Sequence, residues 1–147
     1  MGEADRELGV YFRLKGVRRM AKTPVYISCD YDHDQDLYNL LVGQSTNDDS
    51  PVDIADWSVK DESVSWKDDA RKRIKRVDQV SVICGHYTGS ATGIDAEIEI
   101  ARDEGKPYFL LAGRASGENK KPSAALATDK IYNWTWDNLK LLIGGKR

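Results

Sequence analysis

One acidic residue of this sequence falls on the apolar face of a predicted helix. With the helical period of about 3.6 residues, residues 94–103 present an apolar arc made of Ile94, Ile98, Ile100 and Ala101. Glu97 falls inside that arc. Because burying an unpaired charge is costly, such a carboxylate is either hydrogen-bonded and structural or held in a cleft for chemistry. The residues alone leave both interpretations open.

A strand and a loop of small residues precede this helix. Val80, Val82 and Ile83 form a β-branched run that is typical of a strand covered by helices on both faces. Residues 85–93 supply Gly, Thr and Ser, which suit a turn that leaves backbone N–H groups available. This order of elements predicts that Glu97 lies just beyond the carboxyl end of a buried strand.

Strands and helices alternate along the rest of the chain. Further strands are predicted at residues 25–29, 52–57, 108–112 and 130–134, of which the second suits a sheet edge. Helices are predicted to follow the N-cap residues Asp34, Ser65 and Thr135. Asp68 gives Ser65 a variant of the capping box, and Gly43 and Gly105 are expected to end helices. The polar segment 113–128 is expected to be a surface loop with room for one short helical turn. Such alternation predicts a parallel sheet with helices on both faces.

In a doubly wound sheet, ligands bind beyond the carboxyl ends of the strands, where the strand order reverses. The polar and aromatic residues that follow the first three predicted strands are therefore candidates. After the first strand these are Ser28, Asp30, Tyr31, Asp32 and Asp34; after the second, Trp57, Ser58 and Lys60; after the third, Gly85, Tyr87, Thr88 and Ser90.

Two other ligand chemistries fit this pattern less well. The acids Asp30, Asp32 and Asp34 would suit the Mg²⁺ site of a receiver domain, but a receiver also needs an Asp at the end of the third strand, where Cys84 and Gly85 stand. A flavodoxin-like FMN site needs a phosphate loop after the first strand, and acids there repel phosphate. His33 and His86 are the only histidines and have no zinc-type spacing, so no metal is expected.

Composition limits the classes of function. A chain of 147 residues fits one domain, and its net charge of −2 argues against a general nucleic-acid binder. No run approaches the ~18 apolar residues of a membrane span. Cys29 and Cys84 are expected to be buried thiols in a reducing cytoplasm. Residues 1–22 are predicted to be a poorly ordered N-terminal extension without a targeting signal, and residues 23–147 to be the folded domain.

Several ordered blocks carry a resemblance to a known family. GIDAEIEIA, after a strand and a Ser/Thr loop, resembles the catalytic helix of TIR (Toll/interleukin-1 receptor) domains, whose pattern is often W-C-L-x-E-L or W-V-x-x-E-I. Gly93 takes the position of the Trp. The blocks VYISCDYDHDQDLYNLL, DWSVK, VSVICGHYT, KPYFLLAGR and IYNWTWDNLKLLI are similar to a TIR-like family that includes TIR sensor proteins of Thoeris antiphage systems. The resemblance runs from about residue 23 to residue 145.

The resemblance implies a flavodoxin-like three-layer α/β/α fold with a five-stranded parallel sheet in the order 2-1-3-4-5. It implies an NAD nucleosidase that cleaves nicotinamide from NAD⁺, uses NAD⁺ as substrate with no cofactor, and can cyclise the ADP-ribose into a signalling nucleotide. Glu97 would be the catalytic residue. The substrate-binding residues would be Ser28, Asp30, Tyr31, Trp57, Ser58, Trp66, Gly85 and Thr88.

The resemblance also implies partners. TIR domains self-associate through the BB loop, which corresponds here to residues 56–65, so a homo-oligomer is expected. A downstream effector with a nucleotide-sensing domain would receive the product, and neither a nucleic acid nor a membrane is expected as a partner. The alternative is a non-catalytic TIR-like scaffold that signals by assembly alone.

Overall fold

The computed structural model describes residues 11–14, 17–20, 22–54 and 65–143. The strands in these ranges are β1 Tyr11–Leu14, β2 Val17–Met20, β3 Thr23–Ser28, β4 Val52–Asp53, β5 Gln79–Cys84, β6 Tyr108–Ala112 and β7 Ile131–Asn133. The helices are α1 Tyr31–Ser45, α2 Trp66–Lys75, α3 Thr92–Asp103 and α4 Trp136–Ile143, with a 3₁₀ turn at Thr88–Ser90. Strands and helices therefore alternate from β3 to β6, as the sequence predicts.

The main sheet consists of five parallel strands in the order β4-β3-β5-β6-β7. Counted along the chain within this sheet, the order is 2-1-3-4-5, which confirms the predicted flavodoxin-like architecture. Because β4 and β5 flank β3 on opposite sides, the strand order reverses there and leaves a crevice at the carboxyl ends of β3 and β5. Within the segment expected to be a loose extension, β1 and β2 pair as a separate antiparallel sheet.

Two hydrophobic clusters cover the two faces of the main sheet. Leu41 of α1 and Leu139 of α4 belong to one cluster, and Ile74 of α2 and Ile98 of α3 belong to the other. All six residues of β5 are buried, which accounts for its continuous apolar run. The sheet is thus the middle of three layers, with α1 and α4 on one face and α2 and α3 on the other.

Alternation along β3 decides which of its side chains face α3. Val25 and Ile27 belong to the cluster of α1 and α4, whereas Tyr26 packs against the cluster of α2 and α3. Since successive side chains of a strand point to opposite faces, Ser28 lies on the same face as Tyr26. Two hydroxyl groups are therefore directed toward α3 from the end of one strand.

Two helix boundaries differ from the sequence predictions, and one predicted capping interaction is missing. Asp30, rather than Asp34, is the N-cap of α1, because Asp34 is drawn into the interior. No left-handed turn forms at Gly43, so α1 continues past it. Ser65 is the N-cap of α2 as predicted, but its side chain makes no capping hydrogen bond, so the capping box is absent.

Other predicted boundaries are confirmed. Gly105, with φ 69°, follows the end of α3. The Thr135 hydroxyl oxygen accepts a hydrogen bond from the Asn138 N–H at 3.1 Å and caps α4. Residues 113–130 form turns without a helix. No helix in the described part of the chain has the length and apolar character needed to cross a membrane.

Alanine substitutions at two glycines are expected to change stability in opposite directions. A Cβ at Gly113 would lie 2.6 Å from Leu37 Cδ1, 2.9 Å from Ile83 Cγ2 and 3.0 Å from the Cys84 carbonyl oxygen. We therefore expect Gly113→Ala to lower the free energy of unfolding by about 1–3 kcal/mol. A Cβ at Gly43 would meet nothing within 4 Å, and Ala is favoured over Gly in a helix by about 1 kcal/mol. Urea unfolding followed by circular dichroism measures both, and equal stability of the two variants would contradict the packing at Gly113.

Candidate active site

Glu97 lies in α3 and its carboxylate meets the end of β3. The residue is 1% exposed. The Tyr26 hydroxyl donates a hydrogen bond to Oε2 at 2.5 Å, and the Ser28 hydroxyl donates one to Oε1 at 2.6 Å. Two donors from one face of β3 therefore offset the cost of removing this carboxylate from water.

The Tyr26 phenol is held in its protonated form. Burial, and then the charge of the neighbouring Glu97, raise the pKa of Tyr26 far above its ordinary value. A protonated phenol can donate, and an ionised carboxylate can only accept. Tyr26 is thus the donor and the Glu97 carboxylate the acceptor in this contact.

A cleft of about 360 Å³ opens at the carboxyl ends of β3 and β5. Its walls come from the turn into α1, from the first residue of α2 and from the start of α3. The lining residues are Cys29, Asp30, Tyr31, Asp32, His33, Trp66, Ser90, Ala91, Thr92, Gly93 and Ile94. Glu97 is not among them, but Gly93 precedes it by four residues, and residues at this spacing lie on one helix face. The buried carboxylate therefore lies one helical turn behind the cleft wall.

The start of α3 enters the cleft wall without a side-chain cap. Ala91 is the N-cap residue and has no side chain able to accept a hydrogen bond. The first N–H groups of a helix have no partner within the helix, and its N-terminus carries a partial positive charge. This wall of the cleft is consequently favourable for a negatively charged group.

The opposite wall is the first turn of α1. Asp30 caps this turn by accepting a hydrogen bond from the Asp32 N–H at 3.1 Å, and its other oxygen lies 2.8 Å from His33 Nδ1. Burial, and then a hydrogen bond with Tyr38, raise the pKa of Tyr31 well above its ordinary value, so this phenol is also neutral. Hydrogen bonds therefore fix the positions of Asp30, His33 and Tyr31 in this turn.

A kink at Asp34 separates this turn from the rest of α1. Asp34 has φ −124° and ψ 22°, outside the helical range, and is 1% exposed. Arg114, just beyond β6, donates at 2.9 Å to Asp34 Oδ1, at 2.8 and 2.9 Å to the two oxygens of Asp36, and at 2.9 Å to the His33 carbonyl oxygen. One guanidinium therefore fixes both sides of the kink.

Gly85 and Thr88, which were predicted to bind substrate, do not line the cleft. The Gly85 N–H donates to the Thr88 hydroxyl oxygen at 2.7 Å, and Thr88 is fully buried. A Cβ on Gly85 would lie 2.3 Å from Asp34 Oδ2. Gly85 and Thr88 therefore shape the turn after β5. Because Gly85 has no side chain, it leaves room for the Asp34 carboxylate.

Four other predicted site residues lie within the described part of the chain. Ser28 contacts its carboxylate, and Asp30, Tyr31 and Trp66 line the cleft. The predicted residues Trp57, Ser58 and Lys60, and most of the BB-like loop, lie outside the described residues.

Sequence reasoning missed Tyr26 and His33 as parts of the site. Alternation along the first strand was a usable signal for Tyr26, because it shares a face with Ser28. No local signal marks His33, whose place in the cleft depends on the kink. Among the described residues, no group of three His, Cys, Asp or Glu side chains is arranged to hold a metal ion.

Cys29 and Cys84 are buried thiols that are not joined in a disulfide, as expected. Burial, and then the nearby Asp34 charge, raise the pKa of the Cys84 thiol to about 12. A thiol in this state is a poor nucleophile, so Cys84 has a packing role.

A family model for the TIR-like domain of the Thoeris protein ThsB matches residues 26–120, more than half of the chain. The chain belongs to this family. The match covers the Tyr26, Ser28 and Glu97 cluster and every residue that lines the cleft of this TIR-like domain. No curated protein matches the chain.

Arg114→Ala is expected to destabilise this TIR-like domain by about 3–5 kcal/mol, because it leaves the buried Asp34 carboxylate without its counter-ion. Adding Asp34→Asn should recover part of the loss by removing that charge. The matched control is Arg71→Ala, which removes an ion pair with Glu104 in which the Arg71 side chain is 39% exposed. We expect this control to cost less than about 1 kcal/mol. Urea unfolding measures all four proteins, and similar losses for the two Arg variants would contradict the proposed role of Arg114.

Proposed function

We propose that this TIR-like domain is an NAD⁺ nucleosidase that cleaves nicotinamide from NAD⁺ and cyclises the ADP-ribose into a signalling nucleotide for antiphage defence. The observation that carries the proposal is the Glu97 carboxylate, buried against two hydroxyl donors one helical turn behind a cleft at the switch point of the sheet. Membership of the Thoeris ThsB TIR-like family supports the same proposal.

The reaction needs charge stabilisation more than proton transfer. Nicotinamide leaves as a neutral molecule from a cationic pyridinium, so no general acid is required. The ribose becomes oxocarbenium-like as the bond breaks, and a negative charge held nearby in a dry site stabilises it. The role of Glu97 is to supply that charge, and burial strengthens its field because less water screens it.

Tyr26 and Ser28 orient the carboxylate for this role. A carboxylate accepts up to about four hydrogen bonds, so these two contacts are compatible with a further bond to a ribose hydroxyl. Because both donors lie on one strand, the carboxylate cannot rotate without losing one of them. We infer that ribose enters past Gly93, which has no side chain to block the approach.

The rest of the cleft suits the other parts of NAD⁺. The uncapped start of α3 suits the pyrophosphate, whose charges the acids of the opposite wall would repel. Trp66 offers a ring for stacking or for a cation–π contact with the pyridinium. NAD⁺ is the substrate in this scheme, and the protein needs no further cofactor. The two buried thiols, which form no disulfide, suit a reducing cytoplasm as its location.

A non-catalytic scaffold that signals by assembly is the second candidate. The 1% exposure of Glu97 and its two hydroxyl partners favour it, because a structural carboxylate would be satisfied in the same way. The two candidates differ in whether nicotinamide is released. They also differ in what neutralising Glu97 does, since a purely structural carboxylate affects only stability.

Glu97→Gln is expected to keep the fold and lower nicotinamide release at least ~100-fold, because it removes one charge worth several kcal/mol in the transition state. Glu99→Gln is the matched control, since Glu99 lies two residues further along α3 and is exposed. Nicotinamide release from NAD⁺ is measured by chromatography at high protein concentration with a crowding agent, and circular dichroism checks the fold. Unchanged turnover in the Glu97 variant would remove this residue from the mechanism.

We further propose that the domain is active as a homo-oligomer in which the BB-like loop, residues 56–65, completes the cleft of a neighbouring subunit. The described residues leave the cleft open to solvent, and water in an open cleft would screen the field of Glu97 at the ribose. The product would then act on a downstream effector with a nucleotide-sensing domain.

Specific activity is expected to rise faster than linearly with protein concentration. Lys60→Glu should lower activity by weakening assembly, and Trp57→Ala should lower it by loss of assembly or of stacking. Mixing Lys60→Glu protein with Glu97→Gln protein should restore activity, because the second protein lends its intact loop to a subunit that has its glutamate. The readout is nicotinamide release across a dilution series. Constant specific activity at all concentrations, with no rescue on mixing, would show that a single chain is sufficient.

A further inference from the structure

Two aromatic side chains stack on each other beside the cleft. His33 belongs to the first turn of α1, and Tyr87 belongs to the turn that follows β5. Their ring centroids are 4.1 Å apart, and the ring planes meet at 25°. His33 lines the cleft, so the stack joins the α1 wall to the turn that leads into the α3 wall.

Hydrogen bonds hold the His33 ring and the backbone of both residues without a ligand. His33 Nδ1 lies 2.8 Å from Asp30 Oδ2, and the His33 carbonyl oxygen accepts a hydrogen bond from Arg114 at 2.9 Å. The Tyr87 carbonyl oxygen accepts hydrogen bonds from the Ser90 N–H and hydroxyl, each at 3.1 Å. A prearranged surface of this kind binds a ring at a low cost in side-chain ordering.

Both rings remain open to solvent. Tyr87 is 55% exposed, and the side chain of His33 is 46% exposed. Large exposed aromatic surface beside a cleft is a common property of ligand-binding sites. Part of the surface of each ring is therefore exposed, and a planar ring of a ligand can cover it.

The stack and Trp66 belong to opposite faces of the sheet. Trp66 and Tyr26 pack against the cluster of α2 and α3, and Tyr26 donates to Glu97. His33 is part of α1, which packs on the other face. A dinucleotide whose ribose reacts at Glu97, on the side of α2 and α3, would therefore direct its other end toward His33 on the side of α1.

We propose that the His33 and Tyr87 stack is the subsite for the purine base of the dinucleotide. This inference rests on the proposed function and deepens it, because it assigns the end of NAD⁺ that takes no part in bond cleavage. A purine is planar and stacks on aromatic rings with little dependence on ring orientation. Loss of one such contact is expected to weaken binding roughly tenfold or more.

Nicotinamide mononucleotide provides the comparison substrate, since it has the same scissile bond as NAD⁺ and lacks the purine. We expect His33→Ala and Tyr87→Ala to raise the KM for NAD⁺ at least ~10-fold more than the KM for nicotinamide mononucleotide, with the larger change in KM rather than in kcat. His33→Phe and Tyr87→Phe retain a flat ring and should recover most of the affinity. Equal changes for the two substrates would assign the stack to nicotinamide and overturn the proposal, as would no change for either.

A binding measurement separates failure of this subsite from failure of the proposed activity. AMP binding to Glu97→Gln protein is followed by NMR, with ribose 5-phosphate as a probe that lacks the base. Weaker AMP binding in the His33→Ala and Tyr87→Ala backgrounds, with no matching change for ribose 5-phosphate, supports the subsite even if no NAD⁺ is cleaved. AMP binding that is absent, or that is unaffected by both substitutions, overturns it.

Discussion

The burial of the Glu97 carboxylate is the constraint on which the rest of this site depends. A charge in the interior must be matched by donors at fixed positions, and here both donors come from β3. Tyr26 and Ser28 are two residues apart, so they share a face of the strand and reach the two oxygens of one carboxylate. This requires α3 to pack at the end of β3, beside the switch point where a crevice forms.

A second buried carboxylate has a comparable effect on the other wall. Asp34 occupies a non-helical position in α1, and its ion pair with Arg114 fixes the angle at which the first turn of the helix leaves the core. The close approach of Asp34 to the turn after β5 requires Gly85, because a Cβ there would collide with the carboxylate. The site therefore has one wall fixed by hydroxyl donors and one fixed by a guanidinium.

Glu97 and Asp34 differ in how far their places in the structure could be predicted from the sequence. The strand order and the position of Glu97 followed from local periodicity and from the resemblance to TIR domains. Asp34 was predicted to be an N-cap, because an acid before an apolar stripe is a local signal for one. Its partner Arg114 lies 80 residues away, and no pattern within a helix reports such a distant pair. His33 stacks on Tyr87 and Gly85 lies against Asp34, so their places in the structure also depend on residues that are distant in the chain.

Gly93 connects the family pattern to the shape of this cleft. In the TIR pattern an aromatic residue precedes the catalytic glutamate by four positions, and a ring on this face of the helix would fill space in front of Glu97. With glycine at that position, residue 93 contributes no side chain to the cleft wall. Trp66, from the start of α2, lines the same cleft and supplies an aromatic surface from a different element. Relative to the TIR pattern, Gly93 thus removes a ring from the start of α3, and Trp66 places one in the same cleft from the start of α2.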